Sequence, residues 1–264
     1  MSLNAPRDRF GEEKVRELLN ILENLETGFE YNVSMSILQE FFSTHKHKDS
    51  VFGELEKTFI QIRERHAFQE LPAGVDYVGR EALLEQLKID FAGFARSRHD
   101  IRKTTSQTIR RRDIENAIRI ASSAPSACNR QPVKVYYSLD KKKSQRLGEI
   151  VSGNKSFCRD MANYCAIVVD NSYFASRLDE FRQSYLNAGI FLTYFTLALH
   201  SLSIGSCIMQ FTGLVENADQ RSRELLKLRE NEQVVAVIGY GYYPKVIKYS
   251  KAARRDINEL GKEF

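Results

Sequence analysis

The stretch Ala188-Gly189-Ile190-Phe191-Leu192-Thr193-Tyr194-Phe195-Thr196-Leu197-Ala198-Leu199 lies inside an interval, bounded by Arg182 and Glu216, that holds no Asp, Glu, Lys or Arg. Its length admits a membrane span, because about 20 apolar residues cross a hydrocarbon core. Asn187, Thr193, Thr196, His200, Ser201 and Ser203 interrupt it. The rest of the chain has a mean hydropathy of −0.40 overall, with no second span and no flanking basic cluster. A helix apolar on every side must be covered on every side, and one small sheet cannot do that. The segment therefore predicts a buried helix in a soluble protein, covered by contact between two subunits.

Around this helix, residues 133–139, 164–170 and 234–240 are short β-rich runs separated by helical segments. A helix with Ile114, Ala117, Ile118 and Ala121 on one face runs up to Pro125. Strands mixed with helices imply an α+β or α/β core. Further upstream, Val15, Leu18, Leu19 and Leu22 recur at helical spacing, as do Phe52, Leu55, Phe59 and Ile62. Three amphipathic helices are expected over 12–68, broken at Thr27-Gly28 and at the polar run 43–50. Pro72, Gly74 and Gly79 mark a longer interruption. The expected division is a helical extension over 1–78 and a second domain over 79–264. Residues 80–94 read as one further helix leading into the basic stretch from Arg96 to Lys103.

A chain of 264 residues can bury a sizeable core. Its 42% hydrophobic and 28% charged content is that of a globular protein. The net charge of +5 attracts anions mildly, without the basic field of a dedicated nucleic-acid binder. A nucleic-acid arm over 96–112 is the competing class, but it lacks the interleaved aromatics of single-strand binding. Residues 1–9 show no apolar core of a secretory leader, so a cytoplasmic protein is expected. Cys128, Cys158, Cys165 and Cys207 form no CxxC pair, and no His cluster completes a zinc site. Reduced, mostly buried thiols and no metal are expected.

Three clusters carry chemistry. The first is Ser97-Arg98-His99-Asp100-Ile101-Arg102, the second Ala124-Pro125-Ser126-Ala127-Cys128-Asn129-Arg130-Gln131-Pro132. The third joins the uncharged helix and Gly205-Ser206-Cys207 to the run Val237-Ile238-Gly239-Tyr240-Gly241, with Arg254-Arg255 near the end. Guanidinium groups bind phosphate by paired, charge-assisted hydrogen bonds, so Arg98 and Arg102 are candidate anion ligands, although a solvated basic face fits them too. Pro125 stops the preceding helix and opens a loop in which Ser126, Ala127, Asn129 and Gln131 are free to meet a ligand. An amide such as Asn129 or Gln131 can satisfy both donors and acceptors of a heterocycle edge.

The order and spacing of these clusters resemble the FMN-dependent nitroreductase family over roughly residues 91–264, with the APSxxNxQP run the most specific piece. The nonapeptide and the helical extension resemble the subgroup associated with polysaccharide-biosynthesis loci. The resemblance implies an α+β three-layer sandwich with a central mixed sheet, an intertwined homodimer, and two FMN sites at the interface. It implies an NAD(P)H-dependent flavin oxidoreductase that passes hydride through FMN to a small-molecule acceptor by a ping-pong route. Other chemistry on the same fold, such as dehalogenation, dehydrogenation or consumption of the flavin, is the alternative.

By this resemblance Arg98, His99, Asp100, Arg102 and Arg254 serve the phosphate end of FMN. Pro125, Ser126, Ala127, Asn129 and Gln131 serve the ribityl chain and ring, partly of the partner subunit's cofactor. Asn154, in Gly153-Asn154-Lys155, and the backbone around Met209-Gln210 approach the ring, with Lys155 a further cation; an ordinary Gly-Asn turn and an exposed His99 are the bland alternatives. No protein group need act as catalytic acid, since the cofactor carries the hard step. Asp100 stands where the family has Ser, and a carboxylate there must turn away or pair with Arg102. Val133 stands where an aromatic is common, and substrate loops fall at 171–183 and 211–232.

Overall fold

A computed structural model of the chain describes residues 11–45, 50–75, 78–174, 180, 182–211 and 216–263. The chain forms two compact units, Met1–Ile89 and Asp90–Phe264. The first contains α1 (Glu12–Leu22), α2 (Phe29–Thr44), α3 (Ser50–Arg65) and α4 (Arg80–Gln86). Val15, Leu19 and Leu22 of α1 pack with Tyr31, Met35, Leu38 and Phe42 of α2 and with Phe52, Leu55, Phe59 and Ile62 of α3 in one core. The helical periodicity of the sequence becomes this core directly, since residues three and four apart share a face. Residues 80–94 do not form a single helix. Asp90 follows the turn that closes α4 and its side chain accepts the Gly93 backbone N–H, starting a new helix, α5 (Phe91–Ser97).

The second unit continues with α6 (Arg111–Ala121), β1 (Val133–Tyr137), α7 (Lys141–Gly148), β2 (Asn163–Asp170), α8 (Gln183–Ser201), β3 (Ile204–Gln210), α9 (Ala218–Leu226), β4 (Glu232–Tyr242) and α10 (Ile257–Leu260). The strands pair antiparallel in the order β1-β2-β4-β3. Among the described residues the parallel contribution to the sheet is one bridge, from Asp100 to Ser206 at the outer edge of β3. β3 was hidden in the uncharged interval of the sequence, where it follows α8 after a short turn at Leu202-Ser203.

β2 is buried along its whole length, and its alternation assigns its two faces to two cores. Cys165 and Ile167 meet Ile114, Ala117 and Ala121 of α6 and Ala188, Phe195 and Leu199 of α8. Tyr164, Ala166 and Val168 meet Leu147 of α7 and Ala218 of α9. The result is an α+β three-layer sandwich. A bulge opposite Ile167 and Val168 admits one extra residue in β4, which is why Ile238 and Tyr240 face one core while Val234 and Val237 face the other.

Within its own unit, the described residues cover α8 on one side. Ala188, Phe195, Ala198 and Leu199 are buried, whereas Tyr185, Leu186 and Tyr194 are 55%, 56% and 39% exposed. No helix among the described residues is long and apolar enough to cross a membrane. All four cysteines are free; Cys165 and Cys207 are buried and Cys158 half-buried, but Cys128 is exposed, because it sits at the tip of a surface loop.

Candidate functional site

The segment after α5 lies along the sheet edge formed by β3. The Ile101 N–H donates to the Ser206 carbonyl at 2.9 Å. Gly205 permits this approach, since a Cβ there would meet the Ile101 side chain at 3.0 Å. The segment is thus laid down in extended form, with Ile101 buried and Arg102 exposed. Arg98 is half-buried and donates from Nη1 to Asp100 Oδ1 at 3.1 Å. Asp100 therefore pairs with Arg98 and not with Arg102, although each stands two residues away, and the Arg102 guanidinium is directed elsewhere. The Arg102 guanidinium lies 5.7 Å over the Phe157 ring and reaches Ser250 Oγ at 3.5 Å.

His99 is neither exposed nor free. It stacks on Tyr249 with ring centroids 3.7 Å apart and planes 4° from parallel. In the C-terminal segment, Tyr249 thus stacks on His99 and Ser250 contacts the exposed Arg102. Arg254, a little further on, is exposed and donates to the carbonyls of Ala252 and Ala253.

The second cluster forms a tight loop before β1. Cys128, Asn129 and Gln131 have φ of 52°, 54° and 50°. Left-handed backbone costs roughly 1–2 kcal/mol per non-glycine residue, less for Asn, so three such residues within four positions need outside support. Asn187 of α8 supplies it: its Oδ1 accepts the Ala127 N–H at 2.8 Å while its Nδ2 donates to the Gln183 carbonyl at 2.7 Å. Ser126 Oγ accepts the Gln131 N–H at 3.1 Å and closes the loop on itself. Pro125, Ser126, Gln131, Val133, Asn187 and Phe191 line a cleft of about 110 Å³.

An ion network holds the base of this loop. The Asp170 N–H donates to the Pro132 carbonyl at 2.9 Å, and Asp170 faces Glu232 across the β2–β4 pairing. Both carboxylates are buried. Lys134 Nζ reaches Glu232 at 2.8 Å and Asp170 at 3.3 Å, Arg229 pairs with both, and Tyr136 donates to Glu232. Burial alone pulls the Glu232 carboxyl up, but the hydrogen bonds from Lys134, Arg229 and Tyr136 outweigh it and bring it down to about 2. Asp170 is lowered in the same way, burial being outweighed by Ser172, Lys134 and Arg229.

Asn154 is buried and its Nδ2 donates to the Gly148 carbonyl at 2.7 Å, fixing the turn in which Gly153 has a φ of 83°. The Met209 side chain is in the core that the sheet shares with α7 and α9, and the side chain of Gln210 lies outside the described residues. So do 175–179, 181 and 212–215, which fall within the loops expected to meet substrate.

The two principal clusters stand apart in one chain. The Arg98–Arg102 segment runs along β3 and the Pro125–Gln131 loop enters β1, the two opposite edges of the sheet. Three inter-strand spacings, roughly 14 Å, separate those edges.

The pattern of the nitroreductase family matches residues 95–242, more than half of the chain. The chain belongs to the nitroreductase family. The match opens just before Arg98, closes at the end of β4, and takes in both clusters. Among solved structures, an FMN-dependent nitroreductase from Clostridium difficile R20291 is similar at 23% identity and a TM-score of 0.55, over 66% of this chain and 99% of that one. A nitroreductase family protein from Streptococcus pneumoniae TIGR4 is similar at 21% identity and a TM-score of 0.55, over 66% and 100%. A third, from Parabacteroides distasonis ATCC 8503, bears the provisional name NADH dehydrogenase/NAD(P)H nitroreductase; it has 16% identity and a TM-score of 0.56, over 67% and 99%. At these identities the likeness is one of fold. A comparison with curated protein sequences finds no match.

Asn187, His200 and Tyr249 were not singled out from sequence as part of the site. A signal existed for the first two: a polar side chain inside an apolar helix must find a partner when buried, and both sit in α8, whose sequence carries no Asp, Glu, Lys or Arg.

Proposed function

We propose that this nitroreductase-family chain is a flavin oxidoreductase that binds FMN between two copies of itself. The observation that carries this reading is the placement of the cationic segment and the strained loop on opposite edges of one sheet. A two-fold dimer lets the segment of one copy meet the loop of the other, and the exposed Tyr185, Leu186 and Tyr194 face of α8 supplies an apolar surface for it. The cleft by itself, at about 110 Å³, is well below the roughly 300–1,000 Å³ of small-molecule sites, so a second copy is needed to complete it.

The donor set fits the cofactor. Arg98 and Arg102 present guanidinium groups to a phosphate, and Arg98 keeps donors beyond the one given to Asp100. His99, flat against Tyr249, forms a wall beside them. Asn129 and Gln131 are exposed amides that suit the pyrimidine edge of the ring, and the Ser126 and Ala127 backbone, with Pro125, shapes the ribityl path. Asn154 acts by fixing the 153–155 turn, Met209 and Gln210 offer backbone at the end of β3, and Arg254 joins the phosphate from the C-terminal segment. Asp100 opposes the phosphate and competes for Arg98.

When bound, FMN supplies the hydride chemistry, taking electrons from NAD(P)H and giving them to a small acceptor. The protein's part is to hold the ring against a pre-formed loop, neutralise the phosphate and exclude water. The polysaccharide-locus resemblance of the nonapeptide belongs to this reading as a clue to the acceptor.

The purified protein is expected to be yellow, with visible absorbance that bleaches anaerobically on adding NADH or NADPH. A colourless protein that FMN cannot reconstitute would overturn the proposal.

A further inference from the structure

His200, near the end of α8, bridges two elements that sequence places far from it. Its Nε2 lies 2.8 Å from Ser97 Oγ, and its Nδ1 lies 2.7 Å from the Tyr243 hydroxyl. Ser97 is the last residue of α5 and directly precedes Arg98; Tyr243 directly follows β4. The ring also packs against Phe94, with centroids 5.0 Å apart.

The hydrogen bonds fix the tautomer. Ser97 has one hydroxyl proton, and it donates that proton to the Phe94 carbonyl at 2.8 Å. The Ser97 oxygen can then only accept from His200, so Nε2 carries the proton. Nδ1 is left as an acceptor for the Tyr243 O–H. Both contacts are made by the neutral ring, and the surroundings favour that form: burial pushes the His200 pKa down, and the charges of Arg98 and His99 push it further.

We propose that His200 is a positioning residue for anion binding, holding Arg98 in place by clamping Ser97 to the end of the sheet through Tyr243. The inference rests on Arg98 being a phosphate ligand, and it adds the device that aims it. Arg98 follows the last turn of a seven-residue helix and leads into an extended segment. The His200 bridge ties the end of that helix to α8 and β4, both parts of the main core.

The test compares FMN with riboflavin, which lacks the phosphate, by equilibrium fluorescence titration of the full-length protein. Ser97→Ala and His200→Leu are each expected to weaken FMN by about five- to tenfold, the worth of a hydrogen bond, while leaving riboflavin affinity within about twofold. His200→Gln keeps an amide donor for Ser97 and is expected to restore most of the FMN affinity. FMN and riboflavin weakened equally would mean a merely structural role and overturn the inference, as would unchanged FMN affinity in both Ser97→Ala and His200→Leu. Arg98→Ala is the reference. If it leaves the FMN-to-riboflavin ratio unchanged, the phosphate assignment of Arg98 has failed; if it collapses the ratio while Ser97→Ala and His200→Leu do not, only the positioning role has failed.

Discussion

Asn187 Oδ1 and the Ala127 N–H are 2.8 Å apart, and this bond ties the strained 127–131 loop to the middle layer of the protein through α8. A polar side chain in an otherwise apolar helix is thereby explained. Asn187→Ala leaves the Ala127 N–H without its partner, at a cost of about 1–3 kcal/mol. The expected result is a melting temperature a few degrees lower and FMN binding weaker by about tenfold. Asn187→Asp keeps the acceptor and is expected to lie between the variant and wild type. Melts and flavin titration check both, and an unchanged flavin affinity in Asn187→Ala would detach the loop from the site.

The exposed face of α8 makes a separable prediction. Leu186 is 56% exposed in the single chain, so Leu186→Glu is expected to leave the fold intact while placing a charge in the proposed subunit contact. Sedimentation should then show a monomer, and bound flavin should be lost with the dimer. A dimer that retains its flavin would put the interface elsewhere.

In the proposed site Arg98 and Asp100 oppose one another as ligand and competitor. Arg98→Ala is expected to weaken FMN by at least about tenfold with little change in melting temperature, since the side chain is half-buried and makes one ion pair. Asp100→Ala, which frees Arg98 and removes a carboxylate from beside the phosphate, is expected to tighten FMN. Titrations at low and high salt check the pair. A tighter Arg98→Ala or a weaker Asp100→Ala would reverse the assignment.

Acid should act on the base of the loop. The Glu232 carboxyl in the folded protein is held at about 2, below its ordinary 4.5. A group with a depressed folded pKa contributes stability that is fully present above the unfolded value and is lost as pH falls through the folded one. The contribution from Glu232 is therefore expected to disappear between pH 4.5 and about 2, with Asp170 acting in the same direction. Glu232→Gln leaves Lys134 and Arg229 facing one charge fewer, so it should melt lower at neutral pH and show a flatter acid limb. Melts across that range check this, and parallel pH curves for variant and wild type would exclude Glu232 as the cause.

Much of this was legible from local pattern. The three N-terminal helices follow from Leu, Phe and Val at helical spacing, a period set by the backbone alone, and the runs that became β1, β2 and β4 from their β-branched and aromatic content. The break at Asp90 was missed because Leu84, Leu87, Phe91 and Phe94 continue at helical spacing across it, while the capping bond to Gly93 is a matter of backbone direction. β3 was missed because an uncharged strand following an uncharged helix changes neither composition nor charge.

Sequence by itself determined that the chain is an α+β protein with a basic segment at 96–103, a proline-opened loop at 124–132 and a helix too apolar to stand alone. Tertiary structure decided which of these meet. The non-sequential order β1-β2-β4-β3 sends the loop and the basic segment to opposite edges, and the packing of α8 on the sheet brings His200 to Ser97 across 103 residues of sequence. Periodicity records which face of an element is apolar, whereas the partner of a polar side chain depends on strand order and on the bulge in β4, and those are settled only when the two cores pack around β2.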